Sequence, residues 1–177
     1  MRGNRWMCSN SVNSAPPALV QVVGASGSGK TTLIEGLIPH LRARGLRVGT
    51  VKHAHHGFEM DRSGKDSWRH AQAGAEAVAM ISPSQMAWML QTPKELGLSE
   101  VAASVGRHVD LILAEGFKGE ASHPRIQLEP GSGARLEMTD VCCRVGINPT
   151  ELSSDEWQAV VRFCMRAVPK ESSCRTR

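Results

Sequence analysis

From residue 19 onward the chain alternates short apolar runs with stretches of helical spacing. LVQVVG (19–24) reads as a strand, residues 30–44 as an amphipathic helix and LRVGTVK (46–52) as a second strand, a β–α–β opening. Within the helix, Leu33, Ile34, Leu37, Ile38 and Leu41 fall on one stripe of period 3.6, and Gly45 follows as a stop. Pro39 lies inside that stripe, removes one backbone donor, and is expected to kink the helix or shift its last turn. Further strands are expected at EAVAMI (76–81), QMAWMLQ (85–91), VDLILAEG (109–116), RIQLE (125–129) and VCCRVGI (141–147). Helix starts are expected at Ser63 with Asp66, at Thr92-Pro93-Lys94-Glu95, and at Ser153 with Glu156. The last of these precedes a stripe of Trp157, Val160, Val161, Cys164 and Val168. Strands alternating with helices predict an α/β fold, a mostly parallel sheet covered by helices on both faces, with an antiparallel hairpin around residues 76–91. Residues 1–17 lack periodicity and end in Pro-Pro, so a disordered extension is expected there, followed by a single domain over 18–169 and a flexible basic tail over 170–177.

Composition narrows the class without changing that picture. With 177 residues, 41% hydrophobic and 21% charged, the chain suits one ordinary globular domain. Tyr is absent and there are three Phe and four Trp, so the core is expected to be aliphatic and aromatic stacking on nucleic-acid bases is poorly served. No apolar run is long enough for a membrane span, and the first 17 residues hold no apolar block of a secretory signal. Five scattered Cys without a CxxC pair read as reduced thiols of a cytoplasmic protein. The net charge of +4 comes from the two ends, each contributing +2, around a neutral body. That body is polarised: residues 19–70 hold eight basic and four acidic side chains, whereas 71–169 hold eight and twelve. The positive half suits a polyphosphate ligand, and a uniformly basic nucleic-acid surface is not expected.

The strongest chemical signal lies in that positive half. GASGSGKTT (24–32) fits G-x-x-x-x-G-K-[ST] and stands between an apolar strand and an amphipathic helix, the context a P-loop requires. Gly24, Ala25, Ser26, Gly27, Ser28 and Gly29 form the backbone cradle, in which Gly27 and Gly29 let successive N–H groups turn toward phosphate oxygens. Lys30 supplies a cation for the β and γ phosphates, the Thr31 hydroxyl is placed to ligate Mg2+, and Thr32 is placed to bond an α-phosphate oxygen. The fold class is therefore that of P-loop NTPases. Such a site also needs a carboxylate at the end of a neighbouring strand. VDLILAEG offers Asp110 at its start and Glu115 at its end, and ligands of open α/β sheets sit beyond the carboxyl ends, which selects Glu115 and leaves Asp110 as a boundary residue.

The segment KHAHHGFEMDRSGKDS (52–67) follows the second strand and is rich in His and Gly. Lys52, His53, Asp61, Lys65 and Asp66 could face the γ-phosphate, the segment could be a solvated loop, or His53, His55 and His56 could hold a transition metal. No [NT]-K-x-D sequence is present, so the residues themselves do not choose between guanine and adenine.

Three blocks taken together resemble the MobB family, the molybdopterin-guanine dinucleotide biosynthesis adapters. They are GASGSGKTTL, then KHAHH with Asp61, GKDS and AGA, then DLILAEGFK; the matching stretch runs from Val22 to Lys118. The resemblance implies a dimeric, cytoplasmic GTP-binding protein with weak GTPase activity. It would assist the guanylyltransferase that joins a guanine nucleotide to molybdopterin; the residues leave open whether molybdopterin itself touches the chain. Carried onto this chain, it makes residues 24–32 the GTP cradle and Thr31 with Glu115 the Mg2+ environment. It makes Lys30, Glu115 and Asp61 the catalytic set, with Lys52, His53, Gly64, Lys65, Asp66 and Ser67 near the γ-phosphate. No arginine finger is evident within the site, although Arg62 or Arg69 could supply that charge from a partner subunit. Two other functions are compatible with the residues. A small-molecule kinase would prefer ATP and need an acceptor pocket, and a metallochaperone-like GTPase would use His53, His55 and His56.

Overall fold

The computed structural model of the chain describes residues 16–54, 57–58, 61–120, 122–131 and 135–169. His55 and His56, which with His53 make one of the alternatives for that segment, and the stretches 1–15 and 170–177, part of the expected extension and tail, lie outside the described residues. The described chain forms two compact units, one running to His53 and resuming at Leu98, the other spanning Ala54–Gly97.

In the first unit, β1 (Ala18–Gly24) leads through the Gly-rich turn into α1 (Lys30–Arg42) and then β2 (Val48–Lys52). After the second unit come α3 (Leu98–Val105), β5 (Leu111–Glu115), β6 (Arg125–Leu128), β7 (Leu136–Met138), β8 (Cys142–Val145) and α4 (Ser154–Ala167); the elements of the second unit, α2, β3 and β4, are described below. The six strands are ordered β2-β5-β1-β6-β8-β7, parallel throughout except for β7, which runs antiparallel to β8. This bears out the mostly parallel α/β sheet expected from the alternation.

Alternation along the strands decides what the sheet buries. Val20, Val22, Leu113, Ile126, Leu128, Cys143 and Val145 lie in one core with Leu33, Leu37 and Leu41 of α1 and Val160, Val161, Phe163 and Cys164 of α4. The opposite face is covered near β5, where Leu98 of α3 packs with Ala114 and Phe117. Burial pushes the Cys143 and Cys164 thiols up to about 12, so both stay protonated and behave as small apolar side chains. At the edge of the sheet away from the strand carboxyl ends, Arg47 donates to both oxygens of Asp110, from Nη2 at 2.7 Å and from Nε at 3.1 Å. That fork holds the guanidinium pKa above its ordinary value and makes Asp110 a clamp between the starts of β2 and β5.

Several local signals play out differently from the sequence pattern. The helix α1 continues past Pro39 to Arg42, because the proline stands near its end; Gly45, at φ +85°, then closes it with Gly45 N–H donating to Arg42 and Leu46 N–H to Leu41. The Ser153–Glu156 capping box forms as expected. Thr92-Pro93 starts no helix: α3 begins at Leu98, whose amide donates to Glu120 Oε1 at 2.9 Å, a cap supplied from 22 residues downstream. The short β7 was not expected, since three residues carry no readable period.

The second unit contains α2 (Asp66–Gln72) and the antiparallel pair β3 (Ala77–Ile81) and β4 (Met86–Leu90), the hairpin expected from residues 76–91. Here the helix starts at Asp66 rather than after a Ser63 cap. Gly64 at φ +87° and the extended Lys65 turn the chain immediately before it, and Lys65 makes no side-chain cap. Register places Ile81 opposite Met86, Ala79 opposite Trp88 and Ala77 opposite Leu90, all on one face. Ile81, Met86, Trp88 and Leu90 are each at least half exposed there, whereas Val78 on the other face is buried.

Candidate functional site

The register of the central strands levels their carboxyl ends: Val22 stands opposite Glu115, and Glu115 opposite Lys52. From β1 the chain enters the Gly-rich turn. Gly27 and Gly29 adopt φ +74° and +91°, a left-handed backbone that other residues reach only with strain. The turn is also tight against its surroundings. A Cβ on Gly24 would stand 2.5 Å from Ser28 Oγ and 2.9 Å from the Leu128 carbonyl oxygen, and one on Gly29 would stand 2.8 Å from Pro149 Cδ. The start of α1 then follows without any acidic side chain in its first turn, leaving the positive end of the helix open to an anion.

Lys30 folds back over this cradle. Its Nζ donates to the Ala25 carbonyl at 2.6 Å and lies 3.4 Å from that of Gly24. Thr31 Oγ1 donates to Glu115 Oε2 at 3.3 Å, joining residues 84 positions apart, and Lys52 Nζ lies 3.6 Å from Glu115 Oε1. The carboxylate is mostly buried, with a side-chain exposure of 14%, between a hydroxyl and an ammonium. One hydroxyl and one carboxylate at the mouth of the Gly-rich turn are hard-oxygen donors of the kind that could hold Mg2+. Lys30, Thr31, Glu115 and Lys52 are thus brought together.

The strand-end turn after Glu115 has its own supports, which the sequence did not disclose. Gly116 adopts φ +99° and Phe117 φ +54°, the latter a strained backbone for a residue with a side chain. The Phe117 carbonyl accepts a hydrogen bond from the buried Gln21 amide at 3.1 Å, and its ring stacks on that of His53 with centroids 4.6 Å apart. His53 in turn donates its backbone N–H to the Glu115 carbonyl at 2.9 Å. The one signal that could have exposed Gln21 is its polarity in the middle of LVQVVG. Asn148, at the end of β8, accepts from Thr150 and caps the 3-10 turn that carries Pro149 against the cradle.

The remaining expected residues gather within the second unit. Asp61, Lys65, Asp66 and Ser67 line a cavity of about 420 Å3 with His70 and Met80. Gly64 makes the turn before them, and Asp61 Oδ1 accepts the Arg62 amide at 2.8 Å. Asp66 carries a 3.9 Å pairing with Arg69 on the same helix. Among the described residues no three His, Cys, Asp or Glu form a group that could hold a metal ion.

Residues 19–140 match the family model described as molybdopterin guanine dinucleotide synthesis protein B, MobB. The chain belongs to the MobB family. It is 46% identical over 122 residues to the molybdopterin-guanine dinucleotide biosynthesis adapter protein of Haemophilus influenzae, covering 68% of this chain and 65% of that one. To the Escherichia coli protein of the same name it is 44% identical over 115 residues, covering 63% and 66%. The aligned part thus spans about two thirds of these MobB relatives. Among solved structures, Bacillus subtilis MobB superposes with a TM-score of 0.62 at 26% identity, covering 86% of this chain and 99% of that one. A MobB homolog from Bacillus stearothermophilus gives 0.58 at 23%, covering 82% and 97%, and supports the fold alone. The P-loop and the strand-end Glu115 lie within the part matched to MobB, as does the hairpin.

Proposed function

We propose that this chain is a GTP-binding adapter that assists attachment of a guanine nucleotide to molybdopterin. The observation that carries the reading is the cradle of residues 24–32, with Lys30 folded over it and Thr31 joined to Glu115, in a MobB chain. Lys30 exchanges its two carbonyl contacts for β- and γ-phosphate oxygens, at no cost in charge pairing because neither contact is ionic. Backbone N–H groups of the turn and the open end of α1 hold the phosphates in place. The Thr31 hydroxyl and the Glu115 carboxylate would hold Mg2+, which when bound neutralises phosphate charge. Glu115 also accepts a hydrogen bond from a water molecule approaching the γ-phosphate, and Lys52 keeps that carboxylate next to a positive charge. Hydrolysis is slow in this reading, as the sequence motif carries no evident arginine finger. The partner is the molybdenum cofactor guanylyltransferase, and the setting is cytoplasmic.

The protein acts as a homodimer in this reading, and the support for that is the face of Ile81, Met86, Trp88 and Leu90. Four large apolar side chains on one face of a two-stranded sheet are an interaction surface rather than a solvated one. Guanine preference rests on the family relationship. Titration of the full chain with fluorescent mant-GTP and mant-ATP, with Mg2+ present, tests the reading. GTP is expected to bind more tightly, and Lys30→Ala to weaken it by about a hundredfold, the loss of a charge-assisted phosphate contact. Equal affinity for both nucleotides, or an ATP preference, would point to a small-molecule kinase. Unchanged GTP binding in Lys30→Ala would remove the site.

A further inference from the structure

Parallel strands buried on both faces carry nearly continuous apolar runs, so a glutamine in the middle of one calls for a reason. Gln21 is fully excluded from solvent within LVQVVG, and its Oε1 is a buried acceptor with no donor among the described residues. A methionine of similar length would fill the same space without an unmet polar atom. A polar groove of about 470 Å3 beside the cradle passes over Gln21, but the amide oxygen is sealed from it, so the side chain serves no ligand there. What the amide supplies is one bond, from Nε2 to the Phe117 carbonyl at 3.1 Å.

That carbonyl does not need a donor, because the Glu120 N–H already reaches it at 3.0 Å. The second bond therefore fixes the direction of the Phe117 peptide rather than satisfying it. Direction matters at this turn. Gly116 and Phe117 are consecutive left-handed residues, and Phe117 is the one residue other than glycine with a positive φ among the described residues. Released to negative φ, it would carry its ring away from His53 and from the cluster of Leu98 and Ala114. The strand end just before the turn is fixed on both sides: the Glu115 carbonyl accepts the His53 N–H at 2.9 Å, and the Gly116 N–H donates to the Val22 carbonyl at 3.1 Å. Register places Gln21 beside Ala114 and Val22 beside Glu115, so the amide secures the turn from the sheet face opposite the carboxylate.

We propose that Gln21 is a positioning residue: acting through the left-handed Phe117, it fixes the end of β5 so that the Glu115 carboxylate stays within reach of Thr31 and of the Mg2+ that the two would hold. Gln21 itself touches neither nucleotide nor metal. The unmet Oε1 is the cost of placing a donor where only a side chain from β1 can reach the turn. The inference rests on the reading of the cradle as a site for a nucleotide with Mg2+.

Mant-GTP titrated into the full chain, once with Mg2+ and once with EDTA, separates positioning from packing. In the wild type Mg2+ is expected to tighten binding. Gln21→Met is expected to cut that gain about tenfold, the low end of what loss of outer support does to a metal site. Its affinity in EDTA and the melting temperature of the nucleotide-free protein are expected to stay unchanged, because the lost hydrogen bond is offset by removal of the unmet acceptor. Gly116→Ala strains the same turn from the strand side, with a Cβ 3.0 Å from His53 Cβ at φ +99°, and is expected to cut the gain at least as far. A full Mg2+ gain in both variants would overturn the inference. So would an equal loss with and without Mg2+ accompanied by a lower melting temperature, which is what a purely structural glutamine produces. A wild type that binds no mant-GTP, or gains nothing from Mg2+, would instead fail the nucleotide reading and take this role with it, so the wild-type titration alone tells the two failures apart.

Discussion

The two units hold their candidate chemistry by different means. In the first, Lys30, Thr31 and Glu115 stand on a strand and a helix whose inner residues, from Val20 to Leu41, are almost wholly excluded from solvent. Their positions follow from sheet register and from glycines that cannot be replaced without a clash. In the second, Asp66 and Ser67 stand on a helix of seven residues with no buried member, beside a hairpin whose one face is largely apolar and exposed. Preorganisation thus belongs to the first unit, where buried elements carry the site, while the second holds its candidate residues on elements with little buried apolar surface.

The contrast is broken most directly through the core. Leu33→Ala removes a fully buried side chain of the first unit and is expected to lower stability by about 2–5 kcal/mol in urea denaturation. Val78→Ala, the corresponding change in the second unit, is expected to cost about 1–2 kcal/mol and to raise amide hydrogen exchange in Ala54–Gly97 while leaving β1 and β5 protected. Equal losses with uniform exchange would show a single cooperative core and end the comparison.

Next in size is the exposed hairpin face. Trp88→Asp puts a charge at the centre of the Ile81, Met86 and Leu90 patch and is expected to raise the dissociation constant of the proposed homodimer by roughly a hundredfold, as loss of an aromatic anchor does. Sedimentation velocity at micromolar protein reads this out. An unchanged dimer would move the interface elsewhere, and a wild-type monomer would remove it.

The smallest expected effect lies at the start of α4. Two hydrogen bonds from Arg135 and the Ser153 amide lower the Glu156 carboxyl to about 2 from its ordinary 4.5. The native state therefore binds fewer protons there than the unfolded state between those values. The contribution is full above about pH 4.5 and is lost as pH falls toward 2. Arg135→Ala should flatten that part of the stability profile, followed by thermal unfolding between pH 2 and 6; an unaltered profile would mean that the exposed pair contributes nothing measurable.

Legibility in the sequence follows the range of the interaction. The cradle, the α1 stripe, the hairpin and the Ser153 capping box depend on residues a few positions apart, so GASGSGKTT, the 3.6 period, the alternation and the Ser-x-x-Glu spacing reveal them. The start of α3 and the bond between Gln21 and Phe117 depend on partners 22 and 96 positions away, and no local pattern carries that information. Glu115 is intermediate: the rule that ligands lie beyond strand carboxyl ends selects it, but only the register of β1, β5 and β2 brings Lys52 to its side.

By itself, then, the order of residues determined most of the strands and helices, that a Gly-rich P-loop sequence stands between β1 and α1, and which family the chain resembles, because backbone geometry and hydropathy period are properties of neighbours. Only the tertiary structure decided that Phe117 is held in a left-handed turn by a buried glutamine, that Asp61, Lys65, Asp66 and Ser67 gather around a cavity of their own, and that a polar groove lies beside the cradle. Those features arise where distant segments compete for the same space and the same hydrogen-bond partners, and that competition is resolved only when the chain is packed.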